Sequence, residues 1–357
     1  MAQTPCYILS GSAISPQHSF VQEEFLRPLE SSSNNQLYVQ DAPYNQFISP
    51  VAIRRMSRML KFSISAAMRA YRDADEGALD GILTGTGNGS ITDMQSFLTD
   101  LIALNEDTLN PTAFIQSTFN SPNGWIAMQT KCGCYNQCFL HRGVSFELAL
   151  LDARLLLEEK EAKSRLLVGC YDELTERYYI IKEKIDYWKK EKIHSNELLR
   201  HKNTPGTIGG EGAAFFVLSN QQEGALAQLK GLSILQDENS EANIAVMIEK
   251  LLSETGLDKE NIGLILSGEN GDCRNNAFYE AAYTALPDTP VAGFKHLCGE
   301  YDTATGFGLW AAVHILQSGK VPEEMVLQSG EIEKPAKNIL LINKAIRGGS
   351  TVMVVGQ

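Results

Sequence analysis

Between residues 135 and 159 a short strand, a sharp turn and a long apolar helix follow one another without a break. The strand covers 135–140, the turn is Arg142-Gly143, and the helix covers 144–159. A side chain at such a turn points at the free N–H groups and positive end of the helix, where a thiolate is stabilised and becomes a good nucleophile. The residue standing there is Gly143, which has no side chain to react.

Other residues of chemical interest are the seven cysteines, at positions 6, 132, 134, 138, 170, 273 and 298. An odd count scattered through apolar segments is not a secreted disulfide frame, so reduced thiols are expected. Cys132, Cys134 and Cys138, with His141, have soft ligands suited to zinc, but their spacing follows no zinc pattern. Small thiols flanking a strand is the favoured reading, and no metal is assigned. Gly85-Thr86-Gly87-Asn88-Gly89 lacks the full G-x-G-x-x-G phosphate pattern, and Gly209-Gly210-Glu211-Gly212 suits a place where backbones pass closely. No cofactor is expected.

The elements that must hold these residues come from a chain of 357 residues, 43% hydrophobic and 21% charged, with 29 Gly and 12 Pro. Such a composition describes one large globular fold or two fused halves and excludes collagen and disorder. With a net charge of −12 the surface lacks the field that holds a phosphate backbone, so nucleic acid is not an expected partner. No apolar run reaches the ~18 residues of a membrane span, and the first residues do not read as a signal peptide. A cytoplasmic protein is expected.

Strands are predicted over 5–14, 80–89, 135–140, 164–174, 210–219, 226–235, 262–271, 290–299, 338–345 and 348–357. Helices are predicted over 51–74, 91–105, 144–159, 242–256, 274–285 and 303–318, and 111–131 mixes helix with a break at Pro122-Asn123-Gly124. Strands alternate with helices throughout, which predicts α/β layering. Residues 173–206 differ, with Tyr178, Ile181, Ile185 and Trp188 on one helical stripe and a Lys/Glu face opposite. They read as an exposed charged helix, either a solvated connector or a docking face. Three regions are expected: an N-terminal half 1–172, a charged helical insertion 173–206 and a C-terminal half 207–357.

The chain as a whole resembles the β-ketoacyl synthase (ketosynthase) branch of the thiolase superfamily. NPTAFIQSTFNSPNGWIAMQTKCGCYNQCFLHRGVSFELALLDARLLL is similar, without gaps, to the family stretch holding the nucleophile elbow, with Pro111, Asn120, Gly124, Asn136 and Ala153 in register. GEGAAFFVLS is similar to the strand opening the family's second half, and FKHLCGEYDTATGFG resembles its lysine-then-GH motif. The resemblance implies a five-layered αβαβα sandwich of two related halves, working as a dimer with an acyl carrier protein.

Transferred residue by residue, three of four functional positions are lost. The family's nucleophilic cysteine falls on Gly143, its first histidine on Glu269 and its second on Glu300, while its lysine is kept as Lys295. Paired imidazoles would stabilise a developing enolate, whereas an ionised glutamate would repel both the enolate and a malonyl carboxylate. An ion pair from Lys295 to Glu269 or Glu300 is expected to fill the site. The family's Gly-Phe-Gly-Gly gate is replaced by Arg347-Gly348-Gly349-Ser350. The resemblance therefore implies a non-catalytic, chain-length-factor-like subunit of a type II fatty-acid or polyketide system, including aryl-polyene assembly. Such a subunit pairs with an active ketosynthase, or with itself, and helps shape the acyl tunnel. Phe114, Phe119 and Trp125 are the candidates for pocket or interface. Two alternatives stand beside it: an active synthase or acyltransferase using Cys170, Cys273 or Cys298, and a protein that binds metal through the cysteine cluster or docks a partner on residues 176–200.

Overall fold

The computed structural model describes residues 4–20, 25–160, 162–236, 240–328, 336–346 and 349–357. The strands are β1 (Tyr7–Ile14), β2 (Gly81–Gly85), β3 (Tyr135–Phe139), β4 (Arg165–Asp172), β5 (Gly212–Ser219), β6 (Ala227–Leu235), β7 (Leu264–Ser267), β8 (Val291–Gly293), β9 (Val326–Gln328), β10 (Asn338–Lys344) and β11 (Ser350–Gly356). The helices are α1 (Pro50–Ile53), α2 (Arg58–Asp73), α3 (Ile91–Ala103), α4 (Pro111–Ser117), α5 (Ser121–Thr130), α6 (Ser145–Glu158), α7 (Glu176–Glu183), α8 (Ser240–Thr255), α9 (Asn276–Ala285), α10 (Lys295–Cys298) and α11 (Thr305–Ser318).

The strands run in the order β3-β2-β4-β5-β1-β6-β11-β10-β7-β8-β9. The central junction is slight, because β1 and β6 pair only at Tyr7 with Gln228 and Ile8 with Ala227. On either side lies the same five-strand arrangement. β3-β2-β4 is parallel and β4-β5-β1 antiparallel, just as β8-β7-β10 is parallel and β10-β11-β6 antiparallel. The two related halves of the thiolase-like fold are thus present as topology, although no repeat is visible in the residues.

Side-chain alternation along the strands builds the layers. In the first array Leu167, Phe215 and Val217 face outward onto Met59, Phe62 and Ala66 of α2, while Leu166, Val168 and Phe216 face inward. In the second, Ile265, Leu340, Ile342, Val352 and Val354 face outward onto α8 and α9, and Leu264, Leu266, Ile339, Leu341 and Met353 face inward. Both inward sets meet α6 and α11, whose Phe146, Leu150, Phe307 and Trp310 form the central layer. Strands covered on both faces are apolar at most of their central positions, which is why they read as near-continuous hydrophobic runs.

Several predicted elements differ. The helix of 51–74 is two, since α1 ends at Ile53 and α2 starts at Arg58. The break within 111–131 falls at residues 118–120, and Pro122 lies inside the first turn of α5, where a missing N–H costs nothing. The strand predicted for 290–299 is only β8, followed by the helical turn α10. Residues 173–206 do not form one exposed helix. α7 stops at Glu183, Asp186 takes a left-handed φ of 54°, and a 3-10 turn covers Ser195–Arg200. The predicted stripe is split as a result: Ile181 and Ile185 are exposed, whereas Trp188 is buried with Leu174, Tyr179 and Tyr187.

Candidate functional site

The parallel strands of both halves end at one side of the junction, and the loops after β2, β3, β4, β7 and β8 meet there. After β3 the elbow is held by Ser145, whose hydroxyl accepts from the His141 N–H at 2.7 Å and donates to the Arg142 carbonyl at 2.8 Å. The left-handed residue of this elbow is Arg142, with φ 50°, and Gly143 follows it, buried, in the 3-10 turn Arg142–Val144 that leads into α6.

Lys295 and Glu300 meet as the sequence reading expected. The Lys295 ammonium donates to Glu300 Oε1 at 2.6 Å with both side chains buried, and Asn270 Nδ2 donates to Glu300 Oε2 at 2.7 Å. Burial raises the Glu300 carboxyl and Lys295 opposes that rise. Glu300 reaches this place because Gly299 adopts φ 74° and passes tightly against Gly209 and Gly210. A Cβ on Gly210 would stand 2.0 Å from the Cys298 carbonyl oxygen. Glu269 is placed elsewhere: it accepts from Lys202 Nζ at 3.1 Å and from the Tyr283 hydroxyl at 3.1 Å.

Sequence reasoning missed three further acids. Asp172, at the end of β4, accepts at Oδ1 from the Thr86 hydroxyl and the N–H groups of Gly87 and Asn88, and at Oδ2 from the N–H and hydroxyl of Thr303. The glycine loop at 85–89 therefore cradles a carboxylate of its own chain. Asp302 lies against the same loop, accepting from Asn88 Nδ2 at 2.9 Å, and a Cβ on Gly87 would collide with it. Burial first, and then the charge of Asp302, pushes Asp172 up to about 7, while burial raises Asp302 and Lys182 and Asn88 partly offset that rise. Glu147, in the first turn of α6, accepts from the hydroxyls of Thr305 at 2.7 Å and Thr351 at 3.3 Å. Its Oε2 has no partner among the described residues, and burial raises its carboxyl to about 7. The signal for Glu147 was an acid interrupting an apolar helix face. Asp172 and Asp302 stood at strand and motif ends that carried no distinguishing pattern.

The cavity beside these residues measures about 20 Å³ and is lined by Asp172, Asp302, Glu300, Tyr178, Tyr187 and Trp188, among others. That space admits about one water. Lys182 sits over the Tyr187 and Tyr178 rings at 4.0 and 5.0 Å. Cys298 is buried, and desolvation lifts its thiol to about 12. Cys170 is likewise buried and raised, donating to the Thr303 carbonyl at 3.5 Å. Cys273 is partly exposed in the turn before α9.

Phe114, Phe119 and Trp125 do not line this cavity. Phe114 and Phe119 are exposed, whereas Trp125 packs partly buried beneath α2. The cysteine cluster does not converge: Cys138 turns to the Phe119 carbonyl, His141 stands by Gln236, and no three His, Cys, Asp or Glu side chains gather as metal ligands among the described residues. Of the gate residues, Arg347 and Gly348 lie outside the described residues. Gly349 has φ 137°, with no room for a Cβ beside the Leu235 carbonyl. No described helix is long and apolar enough to cross a membrane.

Comparison with known proteins agrees with this architecture. Nothing among curated proteins matches. The ishigamide ketosynthase/chain length factor superposes with a TM-score of 0.79 at 17% identity, covering 100% of both chains. A β-ketoacyl synthase from Burkholderia phymatum STM815 gives 0.80 at 13% identity, covering 99% of each. AntDE:AntF, a type II polyketide synthase acyl-carrier protein in complex with its ketosynthase bound to the hexaketide, gives 0.77 at 14%, covering 99% of each. Residues 29–191 match the family described as "Beta-ketoacyl synthase, N-terminal domain", and the chain is ketosynthase-like in fold along its whole length.

Proposed function

We propose that this chain is a non-catalytic, chain-length-factor-like subunit that pairs with an active ketosynthase and works with an acyl carrier protein in type II polyketide or fatty-acid assembly. The observation that carries the reading is the buried Lys295–Glu300 ion pair beside a cavity of about 20 Å³. A condensing site needs room for an acyl thioester, a nucleophile and neutral donors facing the developing enolate. Here Gly143 stands at the elbow, the retained lysine is engaged by a carboxylate, and the buried thiols of Cys170 and Cys298 are held protonated. The alternative of catalysis through one of those thiols is disfavoured for that reason.

A pairing surface is available at the other end of the first array. β3 is an outermost strand, paired only with β2 among the described residues. Neighbouring elements expose Leu98, Ile102, Phe114, Ile115, Met128 and Tyr135. An unpaired edge beside a broad apolar patch supports association with another chain. Between Arg72 and Lys131 there is no Lys or Arg, and eight acids occur. Two copies meeting through this stretch would oppose like charges, so a more basic second chain of the same fold is the better partner.

Co-expression with a genomically adjacent active ketosynthase, followed by purification, is expected to give a stable heteromer. Incubation with acyl-loaded carrier protein is expected to leave the intact mass of this chain unchanged. A covalent acyl adduct on any of its thiols would overturn the reading.

A further inference from the structure

A second cavity, of about 410 Å³, lies away from the site described above. Its floor is Gly11 and Ser12 of β1, beyond the point where β6 leaves that strand after Ile8. One wall is the second half of α11, with Trp310 and His314, and the other is Arg69 and Asp73 of α2. Phe20 and Phe25 complete the lining. Thr305, which meets Glu147 at the start of α11, precedes His314 by nine residues, so the cleft stands about 13 Å further along that helix.

The size is that of a small-molecule pocket, and the lining is chemically selective. Phe25, Trp310 and His314 pack on one another, with ring centroids 5.6 Å apart between Phe25 and Trp310 and 4.2 Å between Trp310 and His314. Such packing fixes a rigid aromatic wall. His314 Nδ1 lies 2.9 Å from the Trp310 carbonyl, and a carbonyl can only accept, so the ring proton is on Nδ1. Burial pushes the imidazole below the ordinary histidine range and keeps it neutral. Nε2 is therefore a bare acceptor, on the side of the ring turned away from its own helix, and it has no partner among the described residues. Ser12 Oγ, in the same lining, is buried and also without a partner among the described residues. Arg69 and Asp73 bind each other at 2.7 Å, which leaves the lining with no net charge. A charged ligand would give up its hydration there for no counter-ion.

We propose that this cleft is a binding site for an uncharged, flat aromatic molecule of the phenol class, whose ring lies among Phe20, Phe25 and Trp310 and whose hydroxyl donates to His314 Nε2. Ser12 offers a second hydrogen bond to any further polar atom the ligand carries. The site is separate from the Lys295–Glu300 pair and does not depend on whether that pair permits condensation.

The probe is 4-ethylphenol, titrated into the folded full chain by calorimetry beside its isomer 4-methylanisole, which keeps the ring but has no O–H to donate. The phenol is expected to bind one site saturably with a Kd below about 1 mM, and the ether about tenfold more weakly. His314→Phe keeps a ring against Phe25 and Trp310 but has no acceptor, and is expected to bind the two isomers alike. Ser318→Trp, at an exposed position on the cleft's rim, is expected to abolish binding of both while the circular dichroism spectrum stays that of the wild type. Wild-type chain that gives no binding heat with the phenol, or that binds the ether as tightly, overturns the proposal. So does a folded His314→Phe chain that still prefers the phenol, or a folded Ser318→Trp chain that binds as wild type does.

Discussion

The two halves share one strand order and finish their outer edges differently. In the second half β8 is covered by β9, which pairs antiparallel with it through Val291 with Gln328 and Ala292 with Val326. In the first half the counterpart β3 has no described strand outside it, and Tyr135 and the neighbouring helices turn apolar side chains to solvent. A sealed edge belongs to a surface that ends at water, whereas an open, apolar one calls for a partner. The site shows the reverse: the loops that would admit substrate are closed on the Lys295–Glu300 pair and the Asp172–Asp302 cluster. The molecule is open at the edge where a partner chain is proposed to bind and shut where acyl chemistry would occur.

Opening the shut region has the largest expected effect. Lys295→Ala leaves Glu300 buried and unpaired, and denaturant titration is expected to show a loss of about 3–5 kcal/mol. Replacing both members by Met and Leu is expected to recover most of it. A single variant as stable as wild type would mean that water already reaches the pair and that the site is not sealed.

Next comes the open edge. Ile102→Asp with Phe114→Asp places charge on the exposed apolar patch and is expected to weaken the heteromer by at least about 2 kcal/mol, roughly thirtyfold in Kd, with unchanged monomer stability. Unchanged binding in analytical ultracentrifugation would move the partner surface away from this edge.

Glu147 sharpens the contrast through pH. Its folded carboxyl sits at about 7 against an ordinary 4.5, so the folded chain binds the proton more tightly than the unfolded one. The stability it contributes is complete below about pH 4.5 and is lost as pH rises through 7. Glu147→Gln, which keeps an acceptor for the Thr305 hydroxyl, is expected to exceed wild type at pH 8 by on the order of 2–3 kcal/mol, the gap closing by pH 5. A constant difference across that range would mean that the carboxyl is ionised throughout.

The smallest expected effect is no effect. Gly143→Cys restores a thiol at the elbow but leaves Glu300 and Glu269 where neutral donors would be required, so condensation of acyl and malonyl carrier proteins is expected to stay at background. Measurable turnover would show that the acids do not block the site.

Much of this architecture was legible in the residues. The β-branched and apolar runs at 164–174, 210–219 and 338–345 mark strands buried on both faces, and Ser145–Glu158 was predicted as a helix to within a residue or two. The Lys295–Glu300 pair was one of the two expected from the resemblance, which puts the family lysine on Lys295 and its second histidine on Glu300, with four residues between them. The 173–206 segment was misread because its apolar and Lys/Glu spacing looks helical, while Trp188 leaves that stripe to pack with Tyr179 and Tyr187. Glu269 was the other carboxylate expected for Lys295, yet Lys202, sixty-seven residues away in sequence, claims it.

Local chemistry alone settled which segments become strands and helices, which positions are apolar, and that the elbow carries glycine, since each depends on neighbours a few residues apart. The repeat of one strand order, the choice between Glu269 and Glu300, the meeting of Asp172 with Asp302 and the bareness of β3 rest on contacts between residues separated by tens to hundreds of positions. No local pattern encodes them, because the energy that selects them comes from burial and charge pairing that exist after the layers have closed.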